Sequence, residues 1–197
     1  MKAIIGGGGF TKELIAYIRD DGFSEDLPIF VDDQYAKKDL LPLSNFDPNI
    51  YEAIIAIGDC ASRRDISRRM PINTRYFSFV HSSAKLYGDK ISIGIGSIIC
   101  PGCILTENIS IGKNSILNLK VTIGHDCIIG DYFTASPQSS ISGNCSVGDC
   151  VYVGTNAAIR EKIKISSHSI IGMNSCVVKD IDNPGTYVGC PAKIIIK

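Results

Sequence analysis

A six-residue repeat in the second half of the chain constrains the fold more than any other feature. Of the 25 Ile, Leu and Val residues between positions 93 and 177, 14 occupy one register of six, where chance alone places about four. The repeat passes through Ile93, Ile99, Leu105, Ile111, Leu117, Ile123 and Ile129 and, after Ala135, through Ile141, Val147, Val153, Ile159, Ile165, Ile171 and Val177. Each six-residue unit therefore supplies one aliphatic side chain to a common core.

The period of six predicts a triangular β-solenoid. A surface helix repeats its apolar face about every 3.6 residues, and an array of hairpins needs a turn signal about every 8–12 residues. Three units of six make one coil instead, and coils stacked about 4.8 Å apart bury the aliphatic column while their backbones hydrogen-bond to one another. Small residues two positions before the aliphatic one, such as Ser97 and Cys103, fit the corners. The repeat predicts about five coils.

Residues 1–80 follow a different pattern, in which predicted strands alternate with a predicted helix. The strands are predicted over Lys2–Ile5, Ile29–Asp32 and Glu52–Ile57, and the helix over Thr11–Arg19. This alternation is typical of a Rossmann-like α/β domain with a small parallel sheet. We therefore predict two domains, 1–80 and 81–197.

Four consecutive glycines, Gly6–Gly9, separate the first strand from the first helix. Glycines at this place let backbone N–H groups approach a phosphate at the helix N-terminus, where the helix dipole favours negative charge. Thr11 stands where the full dinucleotide motif has its last glycine, and a glycine run after a strand also serves as a tight turn. Phosphate binding is the interpretation that we favour.

Composition narrows the class of partner. The 20 Lys and Arg residues balance the 20 Asp and Glu residues, which argues against nucleic acid or an anionic membrane. We find no apolar run approaching the roughly 20 residues of a membrane span, and no secretory signal. The eight cysteines lack paired spacing beyond Cys100 and Cys103, as expected of reduced thiols without a catalytic role. These features predict a cytoplasmic protein.

The aliphatic-Gly-x-x-small-x unit resembles that of the hexapeptide-repeat acyltransferases, which form left-handed β-helices and assemble as trimers. Across the whole chain, five segments also resemble, in order, the sugar acetyltransferases of the PglD and NeuD type. These segments are Gly6–Gly9, Phe30–Asp33, Ala56–Asp59, Ile123–Asp126 and Val188–Lys193. The resemblance implies an α/β N-terminal domain followed by a left-handed parallel β-helix, in a homotrimer.

The resemblance also implies an activity. PglD-like members transfer acetyl from acetyl-CoA to the amino group of a nucleotide-activated sugar held by the α/β domain. We therefore expect a UDP- or dTDP-linked 4-amino-4,6-dideoxy sugar as acceptor, acetyl-CoA as co-substrate, no metal, and a role in surface-glycan or lipopolysaccharide biosynthesis.

Site residues are carried over by position. The resemblance assigns Gly8, Gly9, Phe10, Asp32, Asp33 and Gly58 to the sugar nucleotide and Thr134, Thr155 and Met173 to acetyl-CoA. Relatives commonly have histidine where this chain has Phe10, so a polar contact from that side chain is absent here. Arg160, Lys179 and Lys193 are candidates for the CoA phosphates, although each also fits an ordinary surface charge.

His125 and Asp126 are the predicted catalytic residues. An amine attacking a thioester must lose a proton, and a neutral imidazole, which ordinarily titrates near about pH 6.5, accepts it well. Asp126 would orient the ring. Glu107, one 18-residue coil earlier, competes for that role because it falls in the same column as His125.

Two other functions stay open. The same base would serve sugar O-acetylation, as in NeuD-like relatives that modify sialic acid, and a non-catalytic nucleotide-binding solenoid would need no base at all. Hexapeptide-repeat carbonic anhydrases bind zinc through histidines close together in sequence, whereas His81, His125 and His168 are far apart. His81 and His168 are therefore predicted to be structural or solvent-facing.

Overall fold

The N-terminal domain is a five-stranded parallel sheet with two α-helices. The computed structural model describes residues 1–24 and 26–195. Its first elements are β1 (Lys2–Ile5), α1 (Gly9–Asp20), β2 (Ile29–Val31), β3 (Leu41–Pro42), β4 (Glu52–Ile55), α2 (Cys60–Arg69) and β5 (Arg75–Tyr76), with short 3₁₀ turns at Asp33–Tyr35 and Leu43–Asn45. The strand order is β3-β2-β1-β4-β5, so the predicted α/β class is confirmed.

Helix α2 was not predicted, and its first turn explains where it begins. Asp59 is the N-cap residue, and its carboxylate accepts a hydrogen bond from the backbone N–H of Ser62 at 2.8 Å. This bond satisfies one of the free N–H groups at the helix start and holds the pKa of Asp59 below its usual range. Four arginines within ten residues hid the weak apolar periodicity of this helix.

The second half is a parallel β-helix with three faces. Face 1 contains β6 (Phe79–Val80), β9 (Ile98–Ile99), β12 (Ile116–Leu117), β15 (Thr134–Ala135), β18 (Tyr152–Val153), β21 (Ile170–Ile171), β23 (Thr186–Val188) and β24 (Lys193–Ile195). Face 2 contains β7 (Lys85–Leu86), β10 (Ile104–Leu105), β13 (Thr122–Ile123), β16 (Ser140–Ile141), β19 (Ala158–Ile159) and β22 (Cys176–Val177). Face 3 contains β8 (Ile91–Ile93), β11 (Ile109–Ile111), β14 (Ile128–Ile129), β17 (Ser146–Val147) and β20 (Lys164–Ile165).

Stacking of the coils follows the predicted register. Thr122 pairs with Ile104 before it and Ser140 after it, so one coil takes 18 residues. The repeated aliphatic side chains form one buried core. The six strands of face 2 give about six coils, one more than predicted. The extra coil includes β6 and β7, where Ala84 packs against the core without the aliphatic signal of the repeat.

Each six-residue unit turns its corner through one residue with positive φ. Twelve non-glycine residues, spaced by six from Asn108 to Asn174, have φ between 51° and 63°. Asn and Asp adopt this left-handed conformation more readily than most residues. Asp126 is one of them, with φ 58°, so the corner that carries His125 is built like the others.

The N-terminal domain packs on face 1. Ile98 and Ile116, on strands of this face, are buried in one cluster with Ile4 and Leu14 of the N-terminal domain. The domain boundary near residue 80 stays a prediction, and β6 just before it already pairs with β9. No helix in the described ranges is both long and apolar enough to cross a membrane.

Arg63 of α2 joins the two domains at the corner between faces 3 and 1. Its guanidinium is fully buried and donates to the backbone carbonyls of Asn114 at 2.8 Å, Tyr132 at 2.8 Å and Phe133 at 3.0 Å. It also donates to the carbonyls of Ile57 and Gly58, which follow β4. Burial lowers the pKa of Arg63, and the ring of acceptors compensates the desolvation of the charge.

We expect Arg63→Met to lower the free energy of unfolding by at least about 3 kcal/mol, because several buried carbonyls lose their donor. Urea denaturation measures the change. Arg68→Met is the matched control, since Arg68 is an exposed arginine of the same helix, and it should change stability by less than about 0.5 kcal/mol. Equal effects of the two variants would contradict this account of the interface.

Candidate functional site

A cavity of about 620 Å³ opens in the N-terminal domain at the ends of β1 and β2. Gly8 and Asp32 line it, together with residues of α2 that include Arg69. Ligands of α/β sheets bind at the carboxyl ends of the strands, which is where this cavity lies. The cavity therefore is the candidate site for the nucleotide part of a substrate.

The glycine loop leaves the N-terminus of α1 open. The N-cap residue Gly8 makes no side-chain cap, no acidic residue lies in the first turn, and a Cβ atom on Gly8 or Gly9 would meet nothing within 4 Å. Gly6 has φ +119°, and buried Thr11 donates its hydroxyl to the Gly6 carbonyl at 2.7 Å. The threonine thus closes the loop, and the free N–H groups of the helix face an open space that suits a phosphate.

The two predicted aspartates have different surroundings. The carboxylate of Asp32 lines the cavity and pairs with Arg69 across it, and this bond holds the pKa of Asp32 below its usual range. The carboxylate of Asp33 accepts a hydrogen bond from the backbone N–H of Ser44 at 3.0 Å, which lowers the pKa of Asp33. Asp33 holds a loop and is not among the residues that line the cavity.

Phe10 and Gly58, two other residues assigned to the sugar nucleotide, face the β-helix. Phe10 packs against the apolar cluster between the domains. The Gly58 carbonyl accepts hydrogen bonds from Arg63 and from the Thr134 hydroxyl, the latter at 2.8 Å. Of the six predicted residues, Gly8 and Asp32 line the cavity, whereas Gly9, Phe10, Asp33 and Gly58 do not.

His125 lies at the corner between faces 2 and 3, between β13 and β14. Its side chain is 59% exposed, and Nδ1 is 2.7 Å from Oδ2 of Asp126. Asn108, one coil below, donates from Nδ2 to Oδ1 of Asp126 at 2.6 Å. The hydrogen bond from Asn108 and, after it, the contact with His125 hold the pKa of Asp126 below its usual range.

These contacts favour one tautomer of the neutral ring. An ionised carboxylate only accepts hydrogen bonds, so Nδ1 of His125 carries the proton that is shared with Asp126. Nε2 then keeps its lone pair and is free to accept a proton from a substrate. The arrangement is that of a general base held by a carboxylate.

Among the described residues, Glu107 forms no hydrogen bond or ion pair with His125. A Cβ atom on Gly88 would lie 2.4 Å from Oε2 of Glu107, so this carboxylate leans toward the preceding coil and away from His125. Of the two carboxylates that the sequence left open, Asp126 is therefore the one that contacts the imidazole. Asn108 was missed, because its corner position alone explains an asparagine.

Of the three residues assigned to acetyl-CoA, Thr134 lies apart from Thr155 and Met173. Thr134, on face 1, is buried, and its hydroxyl accepts a hydrogen bond from Arg63 at 2.8 Å. Thr155 and Met173 are exposed and stack at the corner between faces 1 and 2, where the Asn174 N–H bonds to the Thr155 carbonyl. Arg160, Lys179 and Lys193 are all exposed.

Known proteins resemble this chain over its whole length. Residues 3–70 match the family model described as the PglD N-terminal domain. WeeI from Acinetobacter baumannii AYE is 27% identical with a TM-score of 0.90, and the match covers 99% of each chain. PerB from Caulobacter crescentus, solved with CoA and GDP-perosamine, is 26% identical with a TM-score of 0.87 over 98% of this chain and 96% of that one.

The acetyltransferase domain of PglB from Neisseria gonorrhoeae FA1090 is also similar, with 26% identity, a TM-score of 0.84 and 98% of each chain covered. The resemblance to sugar acetyltransferases of the PglD and NeuD type, noted from the sequence, is confirmed by these matches. In the described residues, no three His, Cys, Asp or Glu side chains cluster as a metal site would require.

Gly143, one coil above His125, gives the imidazole its space. A Cβ atom at this position would lie 2.7 Å from Nε2 and 2.8 Å from Cε1 of His125. In Gly143→Ala the exposed ring must retreat by about 1 Å to reach an ordinary contact distance. We expect about a hundredfold loss of turnover, since errors of this size misplace reacting groups.

Because the ring can move into solvent, the melting temperature of Gly143→Ala should change little. A crystal structure of the variant together with a thermal melt checks both expectations. A displaced ring with unchanged turnover would show that the position of His125 is not important.

Proposed function

We propose that this chain transfers the acetyl group of acetyl-CoA to the amino group of a nucleotide-linked sugar, with His125 as the general base. The observation that carries the proposal is the exposed imidazole whose Nδ1 lies 2.7 Å from Oδ2 of Asp126 and whose Nε2 has no hydrogen-bond partner among the described residues. The acetyltransferase domain of PglB and the CoA and GDP-perosamine complex of PerB support the same reaction class.

The chemistry follows from the imidazole. The sugar amine attacks the thioester carbonyl, a C–N bond forms, and Nε2 takes the proton that the amine loses. The C–S bond then breaks, and the departing CoA thiolate takes up that proton and leaves as the free thiol. Asp126 lies against the imidazolium that results and stabilises its charge. A positioned base of this kind contributes about 10²–10⁴-fold, and holding the two substrates together contributes much of the rest.

The nucleotide is assigned to the cavity of the N-terminal domain. Its phosphates would lie at the open N-terminus of α1, and its nucleoside against Asp32 and Arg69. The acceptor predicted from the sequence is a UDP- or dTDP-linked 4-amino-4,6-dideoxy sugar, and PerB adds GDP as a third carrier to test. A cytoplasmic location and a role in surface-glycan biosynthesis are part of the proposal.

The proposed site is shared between subunits of a homotrimer. The N-terminal domain covers the early strands of face 1 and reaches both edges of this face, through Arg63 at one corner and through a contact of Asp20 with His81 at the other. His125 lies at the third corner, away from this domain. Ile128 on face 3 and Ile104 on face 2 expose apolar surface on either side of His125, as a subunit contact requires. A cyclic trimer would bring the cavity of one chain to His125 of the next.

The first test is a panel of UDP-, dTDP- and GDP-linked amino sugars with acetyl-CoA, followed by thiol release and product mass. We expect one acceptor to gain one acetyl group, and His125→Asn to reduce turnover by at least about a hundredfold with an unchanged melting temperature. Acetylation of a hydroxyl acceptor such as sialic acid in place of the amines would move the assignment to O-acetylation. No transfer to any acceptor would favour the non-catalytic solenoid.

The second test concerns the shared site. Gly8 has an extended backbone with φ −84°, so Gly8→Asp should cap α1 and keep the fold while repelling the substrate diphosphate. Gly8→Asn is the control of equal size without the charge, and it should bind the sugar nucleotide more tightly than Gly8→Asp.

Co-expression of Gly8→Asp chains with His125→Asn chains then separates two arrangements. If each site combines two neighbouring chains, random mixed trimers should recover about a quarter of the wild-type activity. A site contained within one chain would give no recovery. Sedimentation of the mixed sample verifies that trimers have formed.

A further inference from the structure

We propose that Asn108 is a positioning residue of the active site, which fixes the orientation of Asp126 and through it the tautomer of His125. The inference rests on the proposed function only for its kinetic consequence. Its structural part concerns three side chains from two successive coils, Asn108, Asp126 and His125.

The side-chain amide of Asn108 distinguishes it from the other corner asparagines. Asn108, Asn114, Asn144, Asn156 and Asn174 all have positive φ, and that conformation alone explains their residue type. Among these five, in the described part of the chain, only Asn108 forms a side-chain hydrogen bond, the 2.6 Å contact from Nδ2 to Oδ1 of Asp126. The conformation of the corner therefore does not explain this hydrogen bond.

Each of the two carboxylate oxygens of Asp126 has its own hydrogen-bond partner. Oδ1 accepts from Asn108 and Oδ2 accepts from Nδ1 of His125. The carboxylate is 46% exposed and can rotate about its last bond unless one oxygen is tied. With Oδ1 fixed from the coil below, Oδ2 stays directed at Nδ1 and the free lone pair stays on Nε2.

An amide suits this role better than a cation. In the described residues, the ion-pair contact of Asp126 is with His125. Asn108 donates a hydrogen bond without neutralising the carboxylate, so the negative charge remains available to the imidazolium that forms during transfer. A lysine or arginine at position 108 would compete with His125 for that charge.

Two variants remove the contact in different ways. Asn108→Gly removes the side chain and tolerates the φ of 53° at this position. Asn108→Asp keeps the shape but replaces the donor by a second carboxylate, which repels Asp126. Asn156→Gly is the matched control, since Asn156 has φ 59° at a different corner and forms no side-chain hydrogen bond.

The decisive measurement is the tautomer of His125, read from long-range ¹H–¹⁵N correlations at about pH 8.5, where imidazoles are neutral. The chain has three histidines, so a spectrum of His125→Asn assigns the signal by difference. We expect the Nδ1–H form in the wild-type protein and in Asn156→Gly. In Asn108→Gly and Asn108→Asp the population should move toward the Nε2–H form.

The kinetic expectation is a fall of kcat by about ten- to hundredfold in both Asn108 variants, the usual effect of losing a hydrogen bond to a charged group. The KM for acetyl-CoA should change by less than about twofold. An unchanged tautomer in both variants would overturn the inference whatever the kinetics. Full transfer by His125→Asn would instead overturn the proposed function. It would not affect the structural part of the inference, because the tautomer is measured without substrate.

Discussion

The hydrogen-bonded ladder between coils sets the position of every candidate catalytic group. Because the coils around His125 take 18 residues each, a corner returns to the same column with each turn, about 4.8 Å along the axis. Side chains far apart in sequence become direct neighbours in this way. Asn108 reaches Asp126 from the coil below, and Gly143 leaves space for His125 from the coil above. No single coil could fix the imidazole, so the site depends on the stack.

The second constraint on the structure is the packing of the N-terminal domain against face 1, one of the three faces of the β-helix. Apolar residues point outward on the early strands of face 1, and the domain covers Ile98 and Ile116 with its own core. Arg63 then fixes the angle of α2 through backbone carbonyls of the corner. Ser62, Asp65, Ile66 and Arg69 of the same helix line the cavity, so the buried arginine also positions the candidate nucleotide site relative to the β-helix.

Prediction from the sequence was correct for features that depend on the local pattern of residue types. The aliphatic repeat gave the β-helix and its 18-residue coil, and the three predicted strands and first helix of the α/β domain agree with the structure within about two residues at each end. It could not anticipate the contacts of side chains whose partners are distant in sequence. Asp33 and Phe10 stand in segments that match relatives, yet one holds a loop through Ser44 and the other packs between domains.

The sequence by itself determined the period and the family resemblance, and it predicted the two domains and His125 with Asp126 as the catalytic pair, because these follow from residue order. Only the tertiary structure decided that Asp126 and not Glu107 contacts the imidazole, and that Asn108 holds Asp126. It also decided that the cavity and His125 lie on different sides of the β-helix. Spacing along a coil places a residue in a column. The direction of its side chain depends on hydrogen-bond partners in neighbouring coils, which no local pattern records.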